Sequence, residues 1–170
     1  MLIKEDQYII EKVHGEGKNC ADFMLSAVYG SNNRGIRMQL WASRREAGQN
    51  VGCMPLVVGG DFNIIRAVSE SVGGGRPEVG AIDEFNCCVK DCELVEHPHT
   101  GSQFSWCRNW KDRGVLGVLD RVLCNHNWFT CFSASEVDVP TPTDSDHYSL
   151  NITVKSDIPQ EPRPFKYQPF

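Results

Sequence analysis

Short apolar runs rich in Val, Ile, Phe and Tyr dominate this chain, separated by breaks containing Gly, Asn and Pro. That is the pattern of strands joined by turns. Residues 7–13 and 22–29 predict two strands around a turn at 15–19, hence an antiparallel pair. Residues 30–35 form a polar loop. Residues 37–46 read RMQLWASRRE, a helix with Met38, Leu40 and Trp41 facing inward. Residues 53–58 form a third strand, and the glycines of 73–77 a loop. Ile82, Phe85, Val89 and Cys92 recur at three- and four-residue steps, predicting an amphipathic helix over 81–92. Residues 94–97, 101–107, 115–124, 134–139 and 149–154 read as extended, with a polar-aromatic turn or short helix at 125–129. Strands thus dominate around two clear helices, an α/β layered sandwich whose topology periodicity does not choose.

Composition narrows the class. The 170 residues fit one domain large enough to bury a core, here residues 1–156. Residues 157–170 follow as a Pro-rich tail outside that core. Hydrophobic content of 41% and charged content of 23% are ordinary for a soluble protein. No run approaches a membrane span, and the N-terminus lacks the apolar core of a signal peptide. A nuclear or cytoplasmic protein is expected, neither secreted nor membrane-bound. The eight cysteines include no C-x-x-C pair, so reduced structural thiols are expected. A net charge of -5 argues against a nonspecific nucleic-acid coat protein. It leaves room for an enzyme in which local cations hold a phosphate and acids hold a metal.

Three separated acidic motifs carry the candidate chemistry. The apolar run Leu56-Val57-Val58 stops at Gly59-Gly60 and presents Asp61-Phe62-Asn63. If the strand continued, Asp61 and Asn63 would share a face while Phe62 pointed into the core. An acid beside an amide suits water activation in phosphodiester hydrolysis, although Gly-Gly-Asp is also turn chemistry. Asp120 lies in the apolar stretch 115–123, where a carboxylate needs a partner. Arg121 points the other way on a strand, and His147 is the better partner, its imidazole oriented by the acid. In Ser145-Asp146-His147, Asp146 suits a divalent metal and His147 a scissile phosphate. Tyr29 and Asn32 form a Y-x-x-N pair able to bond phosphate oxygens. Arg34 and Arg37 could meet a nucleic-acid backbone, or simply form a solvated helix face. Phe104 and Trp106 share a strand face, either core packing or a wall against a base or sugar. His97 and His99, with Glu93 and Glu96 nearby, read as a solvated turn around Pro98 rather than a metal centre.

Taken in order, these motifs resemble the endonuclease/exonuclease/phosphatase superfamily, and within it the apurinic-like endonuclease domain of plant LINE-type (non-LTR) retrotransposons. The carrying segments are Val28-Tyr29-Gly30-Ser31-Asn32, Arg37 with Leu40-Trp41, Gly59-Gly60-Asp61-Phe62-Asn63 and Gly101-Ser102-Gln103-Phe104-Ser105-Trp106. Leu119-Asp120-Arg121 with Asn125 and Trp128, then Ser145-Asp146-His147, complete the series. They span roughly residues 7–154, and agreement in series is the stronger argument. The resemblance implies two facing β-sheets flanked by helices, a DNase I-like architecture. It implies that Asp61 orients or deprotonates the attacking water with Asn63, that Asp120 holds His147 against the phosphate, and that Asp146 lies at the metal. Tyr29 and Asn32 would contact the scissile phosphate. The expected cofactor is Mg²⁺, with Mn²⁺ as the alternative, and the expected partner is DNA.

One departure bears on activity. The family opens with a strand carrying an Asn and another ending in a metal-binding Glu, and nothing before Tyr29 matches. Glu5, Glu11 and Glu16 lack the context. The sequence therefore reads as the C-terminal two-thirds of the domain, partial over 1–156, with weakened Mg²⁺ binding and doubtful catalysis. The rival readings are a phosphatase on a phosphorylated small molecule, a noncatalytic interaction module on the same fold, and a fragment with no stable product.

Overall fold

In a computed structural model the chain is described over residues 2–15, 21–108, 114–141 and 144–154. The turn expected after Gly15, with Glu16 in it, and the tail at 157–170 lie outside the described residues. The first half runs β1 (Leu2–Lys4), β2 (Tyr8–Val13), β3 (Phe23–Tyr29), α1 (Arg34–Val51), β4 (Leu56–Asp61), β5 (Ser71–Val72) and α2 (Val79–Asp91). The second half runs β6 (Val95–Glu96), β7 (His99–Gly101), β8 (Trp106–Arg108), β9 (Val115–Gly117), β10 (Asp120–Cys124), α3 (His126–Cys131), β11 (Glu136–Val139) and β12 (Asn151–Thr153).

Six strands form the main sheet in the order β1-β2-β3-β4-β10-β6, and two three-stranded sheets follow, β12-β11-β7 and β5-β9-β8. β2 and β3 pair antiparallel, as their sequences predict. β3 and β4 run parallel, a pairing that needs a long crossover, which α1 supplies. Successive β4 side chains face opposite ways and enter two cores. Leu56 and Val58 join Trp41, Phe85 and Val89 beneath α1 and α2. Val57 joins Val122, Trp128, Phe132 and Val137 between the main sheet, α3 and β11. The large sheet is thus layered between helices and a second sheet, the α/β sandwich that the resemblance implies. No helix among the described residues is long and apolar enough to cross a membrane.

Three sequence expectations change here. Met38 is exposed, because the inward stripe of α1 runs Arg37, Leu40, Trp41, Arg44, Ala47, Val51 and Met38 falls off its edge. Residues 101–107 are not one strand: β7 ends at Gly101, where a positive φ of 88° turns the chain, and β8 starts only at Trp106. Residues 115–124 split into β9 and β10, which belong to different sheets. The Ser105 hydroxyl accepts from the backbone N–H groups of both Leu119 and Asp120, at 2.9 and 2.8 Å, and fixes that break.

Candidate active site

The main sheet delivers three polar side chains side by side. Tyr29 on β3 pairs in register with Asp61 on β4, and Asp61 with Asp120 on β10. Close backbone approach makes this possible. A Cβ at Gly60 would lie 2.1 Å from the Val28 carbonyl oxygen, and φ there is +137°, a conformation that favours glycine. The glycine pair in the motif is therefore strand packing that lets Asp61 reach the end of β4.

His147 arrives from another layer. It forms a single bridge to Trp106, flanked by Cys107 N–H donating to the Asp146 carbonyl and Tyr148 N–H to that of Ser105, both at 2.8 Å. Its Nδ1 lies 2.9 Å from Asp120 Oδ2, and its Nε2 lies 4.0 Å from Asp61 Oδ2. The pairing of His147 with Asp120 inferred from the sequence is present. It leaves Nε2 turned to the Asp61 side.

Asn63 sits differently from the strand expectation. β4 ends at Asp61, and Asn63 has φ +50°, so the two do not alternate along a strand. Instead Asn63 folds back: its N–H donates to Asp61 Oδ1 and its Nδ2 to Asp61 Oδ2, both at 2.8 Å, with Nδ2 also bonding the Gly30 carbonyl. Phe62 is buried, as expected.

These groups open into a cavity of about 690 Å³ lined by Tyr29, Asn32, Asp61, Asn63, Trp106, Arg108, Leu119, Asp146 and His147. Trp106 Nε1 donates to Asp146 Oδ2 at 3.3 Å. Burial is the main cause that lifts the Asp61 carboxyl to about 6, and the neighbouring Asp120 charge adds to it. The Asn63 N–H, His147 and Arg37 pull the other way. Asp61, Asp120 and His147 each present a ligand atom, all within 4.8 Å of one another. Two carboxylates held together with too little positive charge, and an imidazole beside them, suit a divalent cation. Asp146 adds a third carboxylate on the cavity wall.

Three of the expected contacts do not reach the cavity. Arg37 is buried, its Nη1 donating to the carbonyls of Ser31 at 2.7 Å and Asn32 at 3.1 Å. It holds the Asn32 loop instead of facing a ligand. Arg34, the first residue of α1, is engaged by Glu78 and Glu84 at the start of α2. Phe104 precedes β8, is half-buried and lines a separate small cavity with Val139 and Leu150, so it shares no wall with Trp106. The solvated turn read at His97 is also overturned. That ring is buried, stacked on Phe129 at 5.4 Å, with Nε2 3.0 Å from Ser135 Oγ.

Sequence reasoning missed four contributors. Arg108 lies two residues beyond Trp106 on β8 and lines the cavity beside it; the shared strand face was the available signal. Leu119 lines the same cavity. Gln7 accepts from Ser31 N–H at 2.8 Å and donates to the Ile36 carbonyl at 2.9 Å, pinning the loop that carries Asn32. Ser105 fixes the start of β10. The last two act through backbone contacts that leave no local trace.

No curated protein matches the sequence significantly. Among solved structures, the endonuclease domain of TRAS1, a telomere-specific non-LTR retrotransposon, is 12% identical at a TM-score of 0.68, over 89% of this chain and 64% of that one. The AP endonuclease LMAP from Leishmania major is 13% identical at 0.63, over 87% and 54%. A double mutant of beta toxin from Staphylococcus aureus with bound magnesium ions is 15% identical at 0.59, over 88% and 58%. The chain therefore spans between about half and two-thirds of the length of these structures, and at such identity the likeness is one of fold. The sequence profile of the Endonuclease/Exonuclease/phosphatase family matches residues 14–147. With that match over most of its length, and the DNase I-like layering of its sheets, the chain belongs to the endonuclease/exonuclease/phosphatase family.

Proposed function

We propose that this chain is a metal-dependent phosphodiesterase of the retrotransposon endonuclease type, cutting DNA. The observation that carries the reading is the registered triplet Tyr29, Asp61 and Asp120, closed over by His147 around an open polar cavity. In the proposed reaction Asp61 takes a proton from the attacking water, whose oxygen forms the new bond to phosphorus as the bond to the leaving oxygen breaks. A carboxylate lifted to about 6 is matched to that task near neutral pH. Asn63 fixes both its oxygens and acts as a positioning residue. His147 Nε2 contacts the phosphate while Asp120 holds Nδ1, and Tyr29 and Asn32 bond the other phosphate oxygens. Asp146 would hold Mg²⁺, which would supply Lewis-acid stabilisation of the leaving oxygen.

The openness of the cavity and the pairing of Trp106 with Arg108 on its wall favour a polymer over a small phosphoester. An aromatic face and a cation together suit a base and its backbone phosphate. Among the described residues no Glu lines the cavity, which supports a second reading: DNA binding with little or no cleavage, because Mg²⁺ would be held by few carboxylates.

Nicking of supercoiled plasmid across a Mg²⁺ titration, with Asp61→Asn beside the wild type, tests the proposal. Mg²⁺-dependent nicking lost in the variant is the expected result. Equal behaviour of the two folded proteins, with DNA binding retained, would replace catalysis by binding. Release of phosphate from small phosphoesters without nicking would move the substrate class.

A further inference from the structure

Among the described residues three arginines are buried: Arg37, Arg44 and Arg121. Two of them meet negative charge. Arg121 pairs with Glu70 and Glu96, and the charges of Glu78, Glu84 and Asp61 act on Arg37. Arg44 is compensated differently. It is 3% exposed, on the inward stripe of α1. Its Nη1 donates to Ser26 Oγ at 2.9 Å, and its guanidinium carbon lies 5.5 Å from the centre of the Tyr8 ring. The groups whose charge bears on it are two thiols and a phenol, Cys92, Cys88 and Tyr8; none is a carboxylate. Burying a cation without a counter-ion is costly, and a hydroxyl with a ring face offsets only part of that cost.

Arg44 also lines a cavity of about 300 Å³ where the end of α1, the start of β4 and the start of α3 meet. Two glycines keep it open. A Cβ at Gly48 would meet only Cys92 Sγ, at 4.0 Å, and one at Gly52 would meet nothing within 4 Å. Glu93 is the one carboxylate on the wall among the described residues, and its charge is not among those acting on Arg44. The Asn125 side chain is already committed. Its Oδ1 accepts from the N–H groups of Leu56 and Trp128, and its Nδ2 donates to the Met54 carbonyl. The buried guanidinium is therefore the group in this cavity that lacks a charged partner. Leu56 begins β4 and Asp61 ends it, so this cavity and the candidate active site lie at opposite ends of that strand.

We propose that this cavity binds a small oxyanion, a phosphate or a carboxylate, on the guanidinium of Arg44. A planar guanidinium presents paired N–H donors that match two oxygens of such a group. The bound anion supplies the counter-charge that Glu70 and Glu96 give to Arg121. This site is separate from the proposed hydrolysis and does not depend on it.

An amide NMR titration of the folded chain at pH 7 and constant ionic strength tests it, with sodium phosphate in one arm and sodium acetate in the other. The amides of Gly48, Gly52 and Asn125 are expected to shift and saturate in at least one arm, and that arm names the anion. Phosphate reaching the active site is read separately, at the amides of Asp61 and His147. Arg44→Met is expected to weaken binding at the first set by at least about tenfold. Gly48→Glu and Gly48→Gln leave Arg44 in place and have similar helix propensity. Only the first adds a negative charge one helical turn from Arg44, so Gly48→Glu is expected to melt above Gly48→Gln. Amides of the first set that respond to neither anion, or that respond equally in Arg44→Met, overturn the proposal. If Arg44→Met fails to fold, equal melting of the two Gly48 variants overturns it instead.

Discussion

Asp120 and Arg121 are neighbours on β10, yet they point into opposite electrostatic designs. Arg121 faces the helices, 2% exposed, and meets two carboxylates through its Nη atoms, its buried Nε being left without a hydrogen-bond partner among the described residues. Its Nη1 donates to both carboxylate oxygens of Glu96, and its Nη2 to Glu70 and the Val118 carbonyl, at 2.8–2.9 Å. Arg66 adds a second cation on Glu96. Burial alone would raise Glu70, but the hydrogen bond and charge of Arg121 hold its carboxyl below the usual range. Asp120 faces the second sheet, where two carboxylates share one imidazole and Asp61 is driven up to about 6. One residue apart, the strand carries a neutralised cluster that ties β10 to its surroundings and an under-compensated one open to a cavity. Compensated charge stiffens a fold; negative charge left in excess can be completed by a cation from outside.

The contrast can be broken most sharply on the cavity side. His147→Ala is expected to lower plasmid nicking by about 10²–10⁴-fold while the thermal midpoint stays close to wild type. Nicking at the wild-type rate would mean that the imidazole is not in the reaction. On the helix side the loss should appear as stability. Arg121→Met strands Glu70 and leaves Glu96 to Arg66 alone, and is expected to cost about 3–5 kcal/mol in urea unfolding. Replacing all three charges with neutral residues should recover much of that, and failure to recover would point to packing instead of charge.

Between these lies a pH experiment. Asp61 titrates near 6 in the fold against an ordinary 3.8, so over that window the folded protein keeps a proton the unfolded chain has released. Its contribution to stability is intact below about pH 4 and is lost as pH rises through 6, a difference of about 3 kcal/mol. Asp61→Asn should flatten this slope, compared by denaturant unfolding at pH 4.5 and pH 7. In the wild type, Mg²⁺ should restore part of the loss at pH 7; no shift with Mg²⁺ would count against a metal beside Asp61. The smallest effect is expected at Arg34, whose ion pairs are half-exposed. Arg34→Ala should leave the urea midpoint close to wild type and nicking unchanged, and a large loss of nicking would return Arg34 to the DNA-binding surface.

What the sequence revealed follows from how local each feature is. The strand before Asp61 was legible because Leu56-Val57-Val58 is apolar on both faces, as a doubly covered strand must be. The partner of Asp120 was legible from an energetic requirement, a carboxylate in an apolar run. The fates of Arg37 and Phe104 were not. Whether an arginine at the start of a helix turns out to a ligand or back onto a loop depends on carbonyls exposed by the 31–32 backbone, which no spacing records. Residues 115–124 looked like one strand because Val118 and Leu119 continue the apolar pattern; the break is imposed by Ser105, distant in sequence. β1 escaped notice because it has three residues, too few for a period.

The two halves of the candidate site also hang on the molecule by different means. Asp61 and Asp120 sit on β4 and β10, interior strands with neighbours on both sides, registered from Val57 to Asp61. His147 is held by one bridge to Trp106, the flanking bonds to Ser105 and Cys107, and its own side-chain bond to Asp120. Amide hydrogen exchange of the first pair should therefore require opening of the sheet, whereas residues 145–147, outside the core that holds Tyr148, can release by local unfolding. The carboxylates then form a permanent floor, and the imidazole a detachable wall. Loosening of residues 145–147 would part His147 from Asp120 without unfolding the protein.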